Sequence, residues 1–159
     1  MAYSLSLAIQ TYHVPITPQL HLCNNALQKT QLKEKDVLIT IKGRIGNAAV
    51  VEGLSKSVNI NQDVGLLRLK ENCHPYYVSG FINSIAGKEL TSQIGTGQIN
   101  PFLGLGKLKK LMIPIFDQDH MNKIGRKVEQ KVHEAFQTQE EAENLLEQAK
   151  FQVEEMILG

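Results

Sequence analysis

The apolar positions of this chain fall into two regimes. Up to about residue 116 they come in short runs broken by glycine, proline and amides. From Met121 onward they recur at helical spacing, with no proline and with Gly125 and Gly159 as the only glycines. Short apolar runs bounded by turn residues predict strands, and a long periodic run predicts one extended helix. The strongest short run is Val37-Leu38-Ile39-Thr40-Ile41, a buried strand that enters the turn Lys42-Gly43-Arg44-Ile45-Gly46 and continues into a second short strand over 47–51. Two glycines around an arginine let the backbone turn at positive φ while a cation is held at the surface. Such a unit can present charge to a phosphate or a base edge, and it serves equally as an ordinary hairpin.

Further strands are predicted over 58–61 and 64–69, with a turn at 71–75. Tyr77, Val78, Phe81, Ile82 and Ile85 share helical spacing and predict a short helix from Tyr76 to near Gly87. The glycine- and amide-rich stretch 91–106 reads as an exposed loop with special backbone angles. A buried strand is predicted over 111–115, where Pro114 marks an edge or an end. Near the N-terminus Leu5, Leu7 and Ile9 alternate with polar residues as a strand does, and Pro15 and Pro18 then break regular structure.

In the C-terminal regime Met121, Val128, Ala135, Ala142, Ala149 and Met156 repeat every seven residues, with Ile124, Val132, Leu145, Leu146 and Val153 in neighbouring positions. This pattern predicts an amphipathic helix of about 36 residues, roughly 54 Å long. Asp117 and Asp119 precede its start, where the helix dipole favours negative charge. The apolar stripe is longer than the preceding globule is expected to cover, so the helix is predicted to pair with another copy or to dock into a helical bundle with another protein. Folding back on its own domain is the competing arrangement.

With 159 residues, 42% of them hydrophobic, the chain is one domain with an appendage and has enough apolar material for a core. No apolar run approaches the ~20 residues of a membrane helix. The opening MAYSLSLAIQ lacks a basic n-region and a cleavage signal, so a cytoplasmic protein without a membrane partner is expected. Cys23 and Cys73 are too few for a disulfide framework. With His21 and His74 they offer four ligand types for zinc, but the gap of about 50 residues matches no finger spacing, so no metal is expected. The net charge of +1 hides an asymmetry. Residues 1–116 hold 12 Lys and Arg against 6 Asp and Glu, and residues 117–159 hold 5 against 10. A basic globule and an acidic helix suggest polyanion contact for the first and protein contact for the second, beside the plain alternative of solvated surfaces.

Enzyme motifs fail on inspection. Gly106-Lys107 is followed by Leu108, where a phosphate-binding loop needs Ser or Thr. Gly95-Thr96-Gly97 lacks the third glycine and the preceding strand of a dinucleotide site. Asn100-Pro101-Phe102 lacks the second proline of the Asn-Pro-Pro-aromatic run of adenine methyltransferases. No nucleophile–base set or paired-carboxylate motif is present, so no catalytic residue and no cofactor are expected.

The order of segments resembles the DNA-specificity subunits of type I restriction-modification systems. The resemblance runs over roughly residues 32–150, through Leu32…Asp36-Val37-Leu38-Ile39 with Gly43-x-Ile45-Gly46, Val50-Val51-Glu52, Asn59-Ile60-Asn61 and Leu66-Leu67-Arg68-Leu69. It continues through Tyr76-Tyr77-Val78, Phe81-Ile82-Asn83-Ser84, Gly97-Gln98-Ile99-Asn100, Leu111…Ile113-Pro114-Ile115 and the long helix. The resemblance implies an α+β fold: a mixed or antiparallel, β-rich target-recognition domain with short helices (1–116), followed by a long coiled-coil-type spacer helix (117–159). Family subunits carry two such units with antiparallel spacer helices. One unit alone therefore implies a half-subunit that homodimerises through Met121, Ile124, Val128, Val132, Ala135, Ala142, Leu145, Leu146, Ala149 and Val153.

A methyltransferase subunit, and through it a restriction subunit, would dock on these helices, and the chain itself would supply the double-stranded DNA address without catalysis. Lys42, Lys107, Lys109 and Lys110 are the expected phosphate contacts, and Arg44, Asn47, Gln98 and Asn100 the expected base readers. Two features depart from the family. Only 31 residues precede Leu32-x-x-x-Asp36, which implies an N-terminal part that is missing or rebuilt. At the helix entry Pro114-Ile115-Phe116-Asp117-Gln118-Asp119, only Gln118 remains of the usual Glu-Gln signal. A helical dimeric protein–protein adaptor without DNA binding is the rival reading.

Overall fold

The structure, a computed structural model, describes residues 31–97 and 99–158. The run at 37–41 is its centre. β1 (Val37–Thr40) pairs antiparallel with β2 (Ala48–Val50) on one side and with β3 (Val64–Leu67) on the other, in the order β2-β1-β3. A strand that is apolar at successive positions must be covered on both faces. On one face Ile39 and Ile41 join Tyr77, Val78, Ile82, Leu103, Leu108 and Met121, and on the other Leu38 packs with Leu32, Val51 and Val64. The outer edge of β2 is closed by a side chain: Asn83 Oδ1 accepts from Ala48 N at 2.9 Å and Asn83 Nδ2 donates to Ala48 O at 2.7 Å. An amide with both a donor and an acceptor thus replaces the strand neighbour that an edge lacks.

The only buried carboxylate of the described residues, Asp36, is fully engaged. It accepts from Arg68 Nε at 2.9 Å, from Arg68 Nη2 at 2.7 Å and from Lys33 N at 2.8 Å. This fork ties the start of β1 to the chain just beyond β3.

α1 (Pro75–Asn83) begins with proline at its first position, behind an extended His74, and stops at an extended Ser84. Ser84 then caps α2 (Ile85–Ile94), its hydroxyl accepting from Gly87 N at 3.2 Å. The helix expected to end near Gly87 is therefore two helices, and the loop expected from residue 91 begins only at Gly95. Gly87 permits the sharp junction, because a Cβ there would lie 2.1 Å from Phe81 O.

Other strand expectations also give way. Among the described residues, 58–61 form one bridge, Gln31 with Asn59, and no strand. Residues 111–115 form no regular element and no β-pairing among the described residues. Leu111 and Ile113 pack on the core while Met112 and Ile115 are exposed, and Pro114, which has no N–H, uses its carbonyl to accept from Tyr77 Oη at 2.6 Å. The architecture is α+β as expected, but with a small three-stranded antiparallel sheet in place of a β-rich domain. The strand expected at 5–9 and the ligand-type residues His21 and Cys23 lie outside the described residues.

After the short α3 (Leu105–Leu108), α4 runs from Gln118 to Leu158. At 1.5 Å per residue its 41 residues span about 60 Å. Asp117 caps it, Oδ1 accepting from His120 N at 2.9 Å. Its first turns lie across α1 at close range: a Cβ on Gly80 would be 3.1 Å from Val128 Cγ2, and one on Gly125 would be 2.4 Å from the His74 ring. This divides the stripe expected to bind a partner. Met121 belongs to the domain core and Ile124 packs against it, Val128 faces Gly80, and Val132 and Ala135 are half-buried. Folding back, the competing arrangement, is thus what the proximal part of the helix does. From Phe136 to Leu158 every residue is exposed, including Ala142, Leu145, Leu146, Ala149 and Val153.

The two halves should respond differently to truncation. Met121→Ala is expected to cost about 3 kcal/mol, the cost of removing a core side chain. Leu146→Ala should shift the stability of the monomer by less than ~0.5 kcal/mol. Urea unfolding of dilute protein measures both, and equal costs would contradict this division.

Candidate nucleic-acid interface

The turn after β1 is a rigid arch. Gly43 and Gly46 take φ of 71° and 79°, and a Cβ at Gly46 would lie 2.3 Å from Thr91 Oγ1. Thr40 closes the arch with its backbone, accepting from Gly46 N at 2.9 Å and donating to Asn47 O at 2.8 Å. Its hydroxyl donates to Arg44 O and accepts from Asn47 N. Asn47 Nδ2 also donates to Arg44 O, at 2.9 Å, and Lys88 Nζ donates to Gly46 O at 2.8 Å and to Asn47 Oδ1. Burial lowers the Lys88 pKa, as it must for an ammonium brought in from water. Both ends of the Asn47 amide, expected among the base readers, are thus engaged in holding the arch. Lys88 and Thr40, which build the arch from α2 and β1, carry no motif that the sequence could have shown.

A second loop is locked to the first. Thr96 and Phe102 close the base of this loop, the finger, with Thr96 N donating to Phe102 O at 2.9 Å and Phe102 N to Thr96 O at 2.7 Å. Gly97 is left-handed, with φ of 88°, and a Cβ there would meet Asn100 O at 2.7 Å. The base of the finger is sewn to the arch, Gly43 N donating to Pro101 O at 3.0 Å and Leu103 N to Ile41 O at 2.8 Å. Leu103 is wholly buried beneath this seam. The chain then enters α3, where Leu108 is buried and Lys107 is exposed, and Lys109 and Lys110 follow it, also exposed.

The seam thus joins two stretches of one sign. Residues 37–51 contain Lys42 and Arg44, residues 90–116 contain Lys107, Lys109 and Lys110, and neither stretch contains a single Asp or Glu. The nearest carboxylate is Asp63, 3.5 Å from Lys42. Both side chains are about half exposed overall, but the Asp63 Oδ1 that faces Lys42 is buried and accepts no hydrogen bond, so water screens this pair only in part. Of the expected contacts, Lys42, Arg44 and Asn100 lie on the two adjoining loops and the three lysines follow from the same seam. Gln98 falls outside the described residues.

On the domain's flank a separate polar network clamps α4. Lys35, itself at positive φ, bridges Glu52 and Glu129, the latter at 3.0 Å. His133 Nε2 lies 2.7 Å from Glu52 Oε2 and 3.2 Å from Tyr76 Oη. Burial alone would raise the Glu52 carboxyl, but hydrogen bonds from Lys35, His133 and Tyr76 outweigh it and hold the group at about 2. Burial, and then the Glu52 carboxylate, push the Tyr76 phenol up. Burial pushes the pKa of His74, pressed against Gly125, below its ordinary value, with Glu129 opposing and Lys35 and Arg126 assisting. An open groove lined by Lys35, Arg68, His74, Tyr76 and Glu129 carries both signs of charge and selects no ligand class. These partners are up to 94 residues apart in sequence, which is why no local pattern predicts them.

No protein-family model matches the chain, and no curated protein matches it either. Among the described residues no helix is long and apolar enough to cross a membrane.

Acid should loosen the helix clamp in two stages. His74 has a folded pKa below its ordinary 6.5, so the unfolded chain takes up the proton first; its contribution is present above pH 6.5 and declines as the pH falls below it. Glu52 contributes above its ordinary 4.5 and loses that contribution as the pH falls towards about 2. The urea midpoint is expected to fall from pH 7 to 5 and again below 4.5, and His74→Gln should remove the first step only. A midpoint that rises between pH 7 and 5 would overturn this assignment.

Proposed function

We propose that this chain is a DNA-recognition module that acts as a half-subunit, of the kind found as specificity subunits in type I restriction-modification systems. The observation that carries the reading is the sewn pair of loops, whose two flanking stretches hold five cations and no carboxylate. Duplex DNA is a dense polyanion, and neutralising its phosphates with lysine supplies affinity by releasing counterions. Lys42, Lys107, Lys109 and Lys110 take the phosphates. Arg44 and Asn100, on rigid adjoining loops, are the side chains with the donors and acceptors to read base edges.

The helix supports the second half of the proposal. Its proximal turns are bound to the domain, which sets its direction, while its distal turns expose Leu145, Leu146 and Val153. On this reading the distal stripe pairs with a second copy, and the paired helices receive a methyltransferase subunit. Chemistry then belongs to the partners, and this chain determines where on DNA they act. The distal stripe by itself fits the adaptor reading equally well, and DNA binding separates the two.

Light scattering with and without a random-sequence duplex tests the assembly. A dimer that takes up DNA at low salt and releases it at high salt is expected, and a dimer indifferent to DNA would favour the adaptor. Lys109→Ala with Lys110→Ala should lower the salt dependence of binding by about two units of slope, since each phosphate contact contributes roughly 0.9. An unchanged slope would remove both lysines from the interface.

A further inference from the structure

A carboxylate sits beside the cations that are proposed to take phosphates. Residues 37–51 and 90–116 contain no Asp or Glu, yet Asp63, from the turn before β3, places its Oδ1 3.5 Å from Lys42 Nζ. That oxygen is buried and accepts no hydrogen bond among the described residues. A buried acceptor without a donor is costly, and folded proteins keep few of them. The fold does not call for a carboxylate here. Residue 63 is tied to the sheet by its backbone, its carbonyl accepting from Ile41 N at 2.9 Å and its N–H donating to Asn61 Oδ1 at 3.0 Å. An uncharged side chain would leave both bonds in place.

The two members of the pair differ in freedom. Asp63 is held by those two bonds and has a short side chain. Lys42 is fixed at its backbone, where it bridges to Phe102 and is followed by the Gly43 N to Pro101 O bond. Its ammonium, however, rides on a flexible four-carbon stem, and its side chain is 56% exposed. Lys42 is free to swing towards an incoming anion, and Asp63 is unable to follow. The buried oxygen then loses the cation it faces, and water makes good only part of that loss.

We propose that Asp63 is a built-in competitor for Lys42: any DNA phosphate that Lys42 takes must displace this carboxylate, which holds the affinity for duplex DNA below what the cations alone would give. The proposal rests on the DNA-binding reading above and adds a brake to it. Sequence-independent binding is driven by neutralising phosphates, so the brake acts on that part, while base contacts by Arg44 and Asn100 do not pass through Asp63. The exchange also has a salt signature. The counterion that DNA releases at Lys42 is offset by the cation that the freed carboxylate attracts, so this contact adds little to the salt dependence while Asp63 is present.

The test titrates the full-length chain into a dye-labelled random-sequence duplex, reading fluorescence anisotropy over a range of salt. Asp63→Asn keeps the shape of the side chain and removes its charge. It should bind about fivefold more tightly at low salt, the fold-change that a partly screened ion pair corresponds to. Its salt slope should steepen by about 0.9, one uncompensated phosphate contact. With Lys42→Met in the background, Asp63→Asn should have a clearly smaller effect on both, because only general repulsion of DNA by the carboxylate is then relieved. Circular dichroism and the urea midpoint report folding, and Asp63→Ser, which keeps the same backbone bonds, is the second variant should the asparagine fail to fold. If removing the carboxylate leaves affinity unchanged, or tightens binding equally with and without Lys42, the competitor is wrong while DNA binding stands. If neither wild type nor Asp63→Asn binds the duplex at any salt, the competitor and the DNA reading fall together.

Discussion

The structure depends on covering both faces of β1. Val37, Leu38 and Ile39 are all buried, so a single layer of helices over a sheet open to water on its other side would leave Leu38 exposed. One face takes α1 together with Leu103, Leu108 and Met121; the other is covered by Leu32, Val51 and Val64 from neighbouring chain. Leu103 and Met121 come from a glycine-rich loop and from the start of the long helix, so burying β1 also fixes where both of those elements leave the domain. Each fully buried side chain of this size contributes on the order of 2 kcal/mol, enough to hold a loop in a single conformation against its entropy.

That coupling links core packing to the proposed interface. The finger and the arch meet through backbone hydrogen bonds on either side of Leu103, which is itself in the core. Their mutual geometry is thereby set by the same contacts that stabilise the sheet. Lys88, Thr40 and Asn47 then remove the remaining freedom of the arch. Polar side chains are spent on the backbone so that other side chains can face outward in a fixed arrangement, which is the preorganisation that recognition needs.

The long helix divides along its length by the same logic. Its proximal turns are bound by apolar contact with α1 and by the Lys35–Glu52–His133 network. Its distal turns carry local pairs such as Gln139 with Glu143 and Lys150 with Glu147, worth a few tenths of a kcal/mol each. Six glutamates against one lysine in residues 136–158 keep the exposed stripe soluble and make like-for-like parallel pairing unfavourable along it.

Local pattern determined much of this protein. The unbroken apolar run at 37–41 marked the central strand, the glycines around Arg44 marked its turn, and the seven-residue repeat from Met121 marked the helix, because each of these signals is contained within one element. Pattern also placed Lys42, Arg44 and Asn100 on loops. Only the tertiary structure decided the rest. Among the described residues, 58–61 and 111–115 have strand composition but form no strand, only the single bridge of Asn59 with Gln31, since pairing depends on what lies alongside. Ser84 became a helix cap and Asn47 a structural clamp because Gly87, Arg44 and Lys88 came within reach. Above all, the single apolar stripe of α4 was split into a half that belongs to the core and a half that does not. Periodicity reports which face of a helix is apolar; how far along that face the domain extends is a property of the fold.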